Sequence, residues 1–470
     1  MKRRSKNLII SLFCVVIFIS CMRDVPAPLK NIDLVEPGDF LLVEASENAE
    51  YYDLFYGDSL SLTEVDSTLS TKVEIDNDLF DINNNKIFLK DKNNISHVYE
   101  TINLVDLKSN KKLSIKVKLR FWLTKKYGLK VQERYPPQNI LVYTSSDTTY
   151  IIEKNTLFYF TKQLGEKVYC TSFPLEGGLY NQMICKNGYY AIRTENKIYL
   201  SNNLTKWDII YNDKRAIKES MVITQNENGD ELLFSEYTPG IDYKRHHIYA
   251  YNLRNKTMSI RMTFYKRSDF YENKLQPYAR HIHFLVQDKY SDNIFIGTGD
   301  SQGEAGIYFS EDMGITFKKL GGGNEKWRSL AMMFNSEFIF WNMDSAEPQY
   351  LFRLNRKDLQ ENVSWEKIDK YPLINSALWC SAYVSDFDMY IMSSNGEGQL
   401  YDNKFRNYGI SIAKNRPEVY ELQARKCKGI DGKYAQYSQF MPIGTDVHNF
   451  VYFVDLENNY IYKCKVTEIK

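Results

Sequence analysis

From about Tyr127 to Lys470 the sequence repeats with a period near 45 residues, and each unit carries about four short strand-like runs. A unit of that size cannot bury both faces of its own small sheet. Stacked neighbours bury them for each other, which is the arrangement of β-propeller blades. Units begin near Asn139, Gly177, Lys218, His281, Lys326, Asn375 and Tyr434. The third, from Lys218 to about Tyr271, is longer and includes a polar insertion at Thr238–Arg245. The last holds about three runs, and Gly128-Leu129-Lys130-Val131-Gln132-Glu133 can supply the fourth. The two ends of the domain would then close a ring and remove the free edges that invite aggregation. The expected architecture is all-β, with a propeller over 126–470. Seven blades are expected, and six or eight remain compatible with the spacing.

Ahead of the repeat, Asp39–Thr124 reads as a small β-sandwich of Ig-like type, assigned to residues 39–125. Short alternating runs such as Phe40–Val43, Lys72–Ile75, Ile87–Lys90 and Leu113–Leu119 are separated by turn material such as Asp81–Asn85. Residues 21–38, with Pro26, Pro28 and Pro37, read as a tether. The first 20 residues read as an export signal: Lys2, Arg3, Arg4 and Lys6 precede an apolar stretch from Leu8 to Ile19. Its 12 residues are too few to span a bilayer and suit a signal-peptide core. The ending Phe18-Ile19-Ser20-Cys21 resembles the lipobox of bacterial lipoproteins, with Phe18 in place of the usual leucine. That resemblance implies lipidation at Cys21 and a cell-envelope location, expected at the outer membrane, with the lipid as the only membrane contact.

Removing residues 1–20 takes four positive charges and leaves 450 residues with a formal balance of −3. Such a chain lacks the basic face that phosphate backbones require, so nucleic acid is excluded as an expected partner. The 36 tyrosines and 26 phenylalanines suit pleated sheet. Cys170, Cys185, Cys380, Cys427 and Cys464 have no metal-site spacing, although Cys427 and Cys464 could pair in an oxidising compartment.

One motif is specific. Ser310-Glu311-Asp312-Met313-Gly314-Ile315-Thr316-Phe317 fits S-x-D-x-G-x-T-[W/F]. Ser310 and Asp312 can bond turn amides, Gly314 supplies a positive φ, and Thr316 and Phe317 lead into the outer strand. The string resembles the Asp box, or BNR repeat, of sialidase-like propellers, including bacterial, Bacteroidetes-type lipoproteins. In those families the box is structural and its aspartate is not catalytic. Degenerate copies stand at Ser201–Trp207 and Asn362–Trp365. The wider run from Leu232 to Leu320, with Glu236-Tyr237, Arg280–Phe284, Asp288 and Gly297–Asp300, resembles the central blades of BNR proteins often labelled glycosyl hydrolases. True sialidase chemistry needs an arginine trio, and the nearest string to its first arginine segment is Phe352-Arg353-Leu354-Asn355, late in the chain and without the proline.

His281 and His283 stand two apart on an expected inner strand beside Arg280, and Glu236 closes a strand of the preceding unit. Together they form the candidate catalytic or metal-binding group, because two imidazoles with a carboxylate can move protons or hold a divalent ion. The alternative is that both imidazoles are buried between blades, bonded to backbone, and serve packing. Asp300, Trp327, Arg328 and Trp379 are candidate ligand contacts, the tryptophans by stacking on sugar rings. His246-His247 reads as a solvated loop pair, and Gly321-Gly322-Gly323 as a loop. The expected function is binding or cleavage of carbohydrate, by a glycoside hydrolase or polysaccharide lyase if catalytic. The alternative is a non-catalytic propeller that binds glycan or protein. No cofactor is required, though a divalent metal would be compatible with the histidines.

Overall fold

The computed structural model describes residues 52–55, 60–61, 66–69, 73–76, 80–84, 86–89 and 99–120, and then 127–469 with gaps. The gaps are 137–139, 154, 173–179, 195–196, 213–219, 237–244, 267–269, 271, 300, 302, 345–349, 373–377, 395–403, 413–416, 427–439 and 456–459. Cys21, the tether, Phe40–Val43, Asp300, Cys427 and most of the Thr238–Arg245 insertion therefore lie outside the described residues.

The N-terminal part forms two sheets. One orders Tyr52–Phe55, Lys112–Arg120, Tyr99–Asp106 and Val73–Asp76, with the first pair parallel and the rest antiparallel. The other orders Leu60–Ser61, Lys86–Leu89 and Phe80–Asn83. Phe80, Ile87, Ile102, Leu104 and Ile115 are its buried apolar side chains. The Asp81–Asn85 turn is tighter than expected. Asp81–Asn83 belong to a strand, Asn83 pairs with Lys86, and Asn84 takes the left-handed φ that asparagine tolerates.

Beyond Tyr127 the described residues form seven four-stranded antiparallel sheets of a β-propeller. Their first strands are Ile140–Ser145, Tyr180–Lys186, Met221–Asn226, His281–Gln287, Met332–Phe334, Leu378–Val384 and Phe440–Thr445. Six sheets run in simple meander order. The seventh takes Phe440–Thr445, Phe450–Asp455 and Tyr460–Glu468 and adds Tyr127–Tyr135 as its outer strand. In that closing pair Leu129 faces Val466 and Val131 faces Cys464, all fully or almost fully buried. Each such aliphatic side chain contributes about 1.5–3 kcal/mol on burial. Lys463 Nζ donates to Glu133 Oε1 at 3.2 Å, joining residues 330 apart.

The apolar core is divided among the interfaces between sheets. Phe284 and Phe295 of the fourth sheet pack with Trp341, Phe352 and Leu354 of the fifth. Met333 and Phe340 of the fifth meet Met392, Tyr408 and Ile410 of the sixth. Val142, Ile151 and Phe160 of the first meet Tyr452 and Ile461 of the seventh, so the stacking runs around a ring. Cys464 is a free thiol within the core between the sixth and seventh sheets. Its side chain faces apolar neighbours, and Cys427, with which it could pair, lies outside the described residues.

The Asp box folds as its residue types require. Ser310 Oγ donates to Asp312 Oδ1 (2.7 Å) and accepts from the Gly314 amide (2.7 Å). Asp312 also accepts from the Thr316 amide (2.8 Å) and hydroxyl (2.6 Å), and Gly314 has φ +90°. Phe317, just before the outer strand Lys318–Gly322, packs into the core between the third and fourth sheets. At Ser201–Trp207, Asn203 does the work of Asp312, accepting from the Thr205 amide (3.0 Å) and hydroxyl (3.1 Å). Asn252 and Asn255 build a related turn in the third sheet that the sequence pattern did not mark.

Candidate functional site

In every sheet the second strand ends, and the third begins, at the end of the ring where the first strand starts. We call this the upper end. Contacts between sheets hold the ends in common: Gln182 accepts from the Ser220 and Met221 amides, and Asn407 Nδ2 donates to Phe440 O. At the lower end, Asp288 accepts from the Tyr290 amide, the Ser291 hydroxyl and Arg356 of the next sheet, and Asp446 from the His448 and Phe450 amides.

The upper end differs. Second strands finish on buried polar side chains in consecutive sheets: Arg193-Thr194, Ser235-Glu236, Thr298, Asn342 with Asp344, Ser393-Ser394 and Asp455. Several of these atoms have no hydrogen-bond partner among the described residues: Arg193 Nε and Nη1, Ser220 Oγ, Ser235 Oγ and Asp344 Oδ1. Leaving such groups unpaired costs about 1–3 kcal/mol each, so their concentration at one end calls for a reason.

Two clusters organise this end. In the first, Glu236 is 1% exposed. Its Oε1 accepts from the hydroxyls of Tyr211 (2.7 Å) and Tyr249 (3.1 Å), and Oε2 from the His247 amide (2.9 Å). Arg193, also 1% exposed, lies over the Phe234 ring at 5.9 Å. Burial pushes its guanidinium down to about 9, against the opposing pull of Tyr211 and Glu236 beside it.

In the second cluster, His283 donates from Nδ1 to the Ser329 carbonyl (2.9 Å). Arg328 Nε donates to Asp344 Oδ2 (3.1 Å), and Nη1 reaches Glu325 Oε2 (3.5 Å). His283 and Arg328 converge on Gly299. A Cβ there would lie 2.8 Å from both His283 Cε1 and Arg328 Cγ, so only glycine fits. A bulge at His283 shifts the strand register between Ile282 and Phe284.

The structure thus brings His283 and Arg328 together, whereas Tyr211, His247 and Tyr249, which bond Glu236, belong to the second and third sheets. Arg280 is exposed just before the inner strand, and His281 is buried at its start. Trp327 is not on an inner strand. It lies in the 3-10 helix Glu325–Trp327, 2% exposed, stacked on Trp341 at 5.4 Å and tilted against Trp365 at 4.8 Å. It is core packing and offers no face to a sugar. Its ring also explains Gly321, where a Cβ would meet it at 2.1 Å, and Gly321 and Gly322 close a strand instead of forming a loop. Trp379 lies on the first strand Leu378–Val384, and its side chain is outside the described residues. His246 and His247 are strand residues, His246 buried and His247 Nδ1 3.1 Å from Thr263 Oγ1, so neither is a solvated loop residue. Arg353 is bound to Asp369 and lies over the Phe338 ring at 4.3 Å. No group of three metal-ligating side chains occurs among the described residues.

Sequence reading missed Arg193, Tyr211, Tyr249, Glu325 and Asp344. A signal existed for the strand ends: Ile192-Arg193, Phe234-Ser235 and Trp341-Asn342 each mark an apolar run ending in a polar side chain near the end of a second strand.

No protein-family model matches the sequence, and no curated protein matches it. Solved structures of β-propeller type are similar in general architecture. YCF48 bound to D1 peptide is 9% identical, with 72% of this chain and 97% of that one covered and a TM-score of 0.42. The Neurospora crassa Pan2 WD40 domain is 9% identical over 71% and 91%, with a TM-score of 0.40. The extracellular domain of a putative one component system, BT4673 from B. thetaiotaomicron, is 13% identical over 72% and 40%, with a TM-score of 0.41.

Proposed function

We propose that this chain is a lipid-anchored protein of the bacterial envelope whose seven-bladed, Asp-box propeller recognises carbohydrate at its upper end. The observation that carries the reading is the pair His283 and Arg328, half-buried over Gly299 at the end where second strands finish on polar side chains. Hydroxyl-rich ligands are matched by just such fixed donors and acceptors. The seven sheets and the Asp-box turns at Ser310–Phe317 and Ser201–Trp207 support the blade count and the sialidase-like kinship. The N-terminal strand orders support an Ig-like sandwich acting as spacer over residues 39–125.

Binding without cleavage is the better reading, because Glu236 is enclosed by three donors and withdrawn from solvent. A hydrolytic reading is favoured by one observation, the 2.7 Å contact of the Tyr211 phenol with the Glu236 carboxylate. Purified protein from residue 22 onward, titrated with a panel of oligosaccharides, should bind at least one. His283→Ala should weaken that binding by about 1–3 kcal/mol while the melting temperature stays close to wild type. Arg328→Ala should weaken it while also lowering the melting temperature, because Asp344 is left buried without its partner. Binding that survives both substitutions places recognition elsewhere. Release of reducing sugar that is lost in Glu236→Gln would favour the hydrolytic reading.

A further inference from the structure

At the upper end two guanidiniums are held by carboxylates. Arg328 is held by Asp344 and Glu325, and Arg406 Nε donates to Glu421 Oε2 at 2.6 Å. Glu304, buried and bonded to the Ser301 hydroxyl, adds a further carboxylate. Among the described residues at this end, these buried and half-buried carboxylates outnumber the guanidiniums they hold.

The geometry of Arg328 sharpens the point. A guanidinium grips a carboxylate with two parallel N–H groups, either Nε with one terminal nitrogen or the two terminal nitrogens together. Asp344 takes Nε and Glu325 engages Nη1, so each of the two forks already has one prong occupied. An acidic sugar arriving here finds no bidentate seat and meets two carboxylates at short range. A hydroxyl group needs only one donor or acceptor, and it carries no charge to be repelled.

We propose that the ligand of the upper end is an uncharged sugar recognised through its hydroxyl groups, and that Asp344 and Glu325 exclude acidic sugars by occupying Arg328. This rests on the carbohydrate reading above. Asp344 and Glu325 are positioning residues, acting through the arginine.

The test uses protein from residue 22 onward, with neutral oligosaccharides, a polyuronate and the methyl ester of that polyuronate as probes. Wild type should bind neutral sugars and the ester about tenfold or more better than the free polyuronate. Glu325→Gln, and Asp344→Asn where it folds, should narrow that gap by raising affinity for the free acid. The less buried Glu325 keeps the test valid if Asp344→Asn unfolds. Preference of wild type for the free acid would overturn the inference and leave carbohydrate recognition standing. A gap unchanged in Glu325→Gln and in folded Asp344→Asn would overturn the role of the two carboxylates. No binding to any probe would overturn the carbohydrate reading, and the inference with it.

Discussion

Asp312 shows how a charged residue in a suggestive motif can be wholly occupied by structure. Burial works to raise its carboxyl, but hydrogen bonds from the Thr316 hydroxyl, the Thr316 amide and the Ser310 hydroxyl outweigh it and hold the group below its ordinary value. A depressed folded value stabilises the protein above the unfolded carboxyl range, and the gain is lost as pH falls through the folded value. Asp312→Ala should therefore cost about 0.5–2 kcal/mol at neutral pH, with ligand binding kept. The difference from wild type, measured by urea melts, should shrink as the pH is lowered below about 4. A gap that stays constant down to pH 2 would mean the carboxylate contributes nothing as an anion. Asn203 builds the same kind of turn without a charge, and the stability of a variant there should show no such pH dependence.

Among elements, the closing strand Tyr127–Tyr135 carries the most consequence, since the seventh sheet is three-stranded without it. Deleting residues 127–135 should abolish cooperative melting or lower the midpoint by well over 10 °C. Deleting the tether at 22–35 should leave the midpoint unchanged. Equal midpoints for the two deletions would sink the closure argument. This strand was legible because its apolar residues alternate, with Leu129 and Val131 buried, and because the last unit was one run short. The first strands begin within six residues of the expected unit starts, since apolar runs of this length leave little freedom. Trp327 was not legible, because a tryptophan in an irregular connection looks the same in sequence whether it faces a ligand or a neighbouring blade. Nor were the surroundings of Arg193, set by Phe234 of the next sheet, or of Asp344, set by Arg328 in the irregular connection before its own sheet.

At the scale of the whole chain, the lipobox reading makes the propeller a tethered domain. Cys21→Ser should release it from membrane fractions or block maturation, and labelled palmitate should no longer be incorporated. Retention of both in the mutant would remove the anchor from the proposal. The described residues contain no helix long and apolar enough to cross a membrane. The closing pair also has a consequence in time. Tyr127–Tyr135 leaves the ribosome more than 300 residues before Tyr460–Glu468, the strand it must find, as the 330-residue span between Glu133 and Lys463 shows. Synthesis proceeds at about 5–20 residues per second, so this strand waits many seconds for its partner while six sheets stack behind it. Any chain that stops early keeps an open ring with two raw edges. A quality-control protease could thus tell a closed molecule from an open one by whether Tyr460–Glu468 has paired with Tyr127–Tyr135.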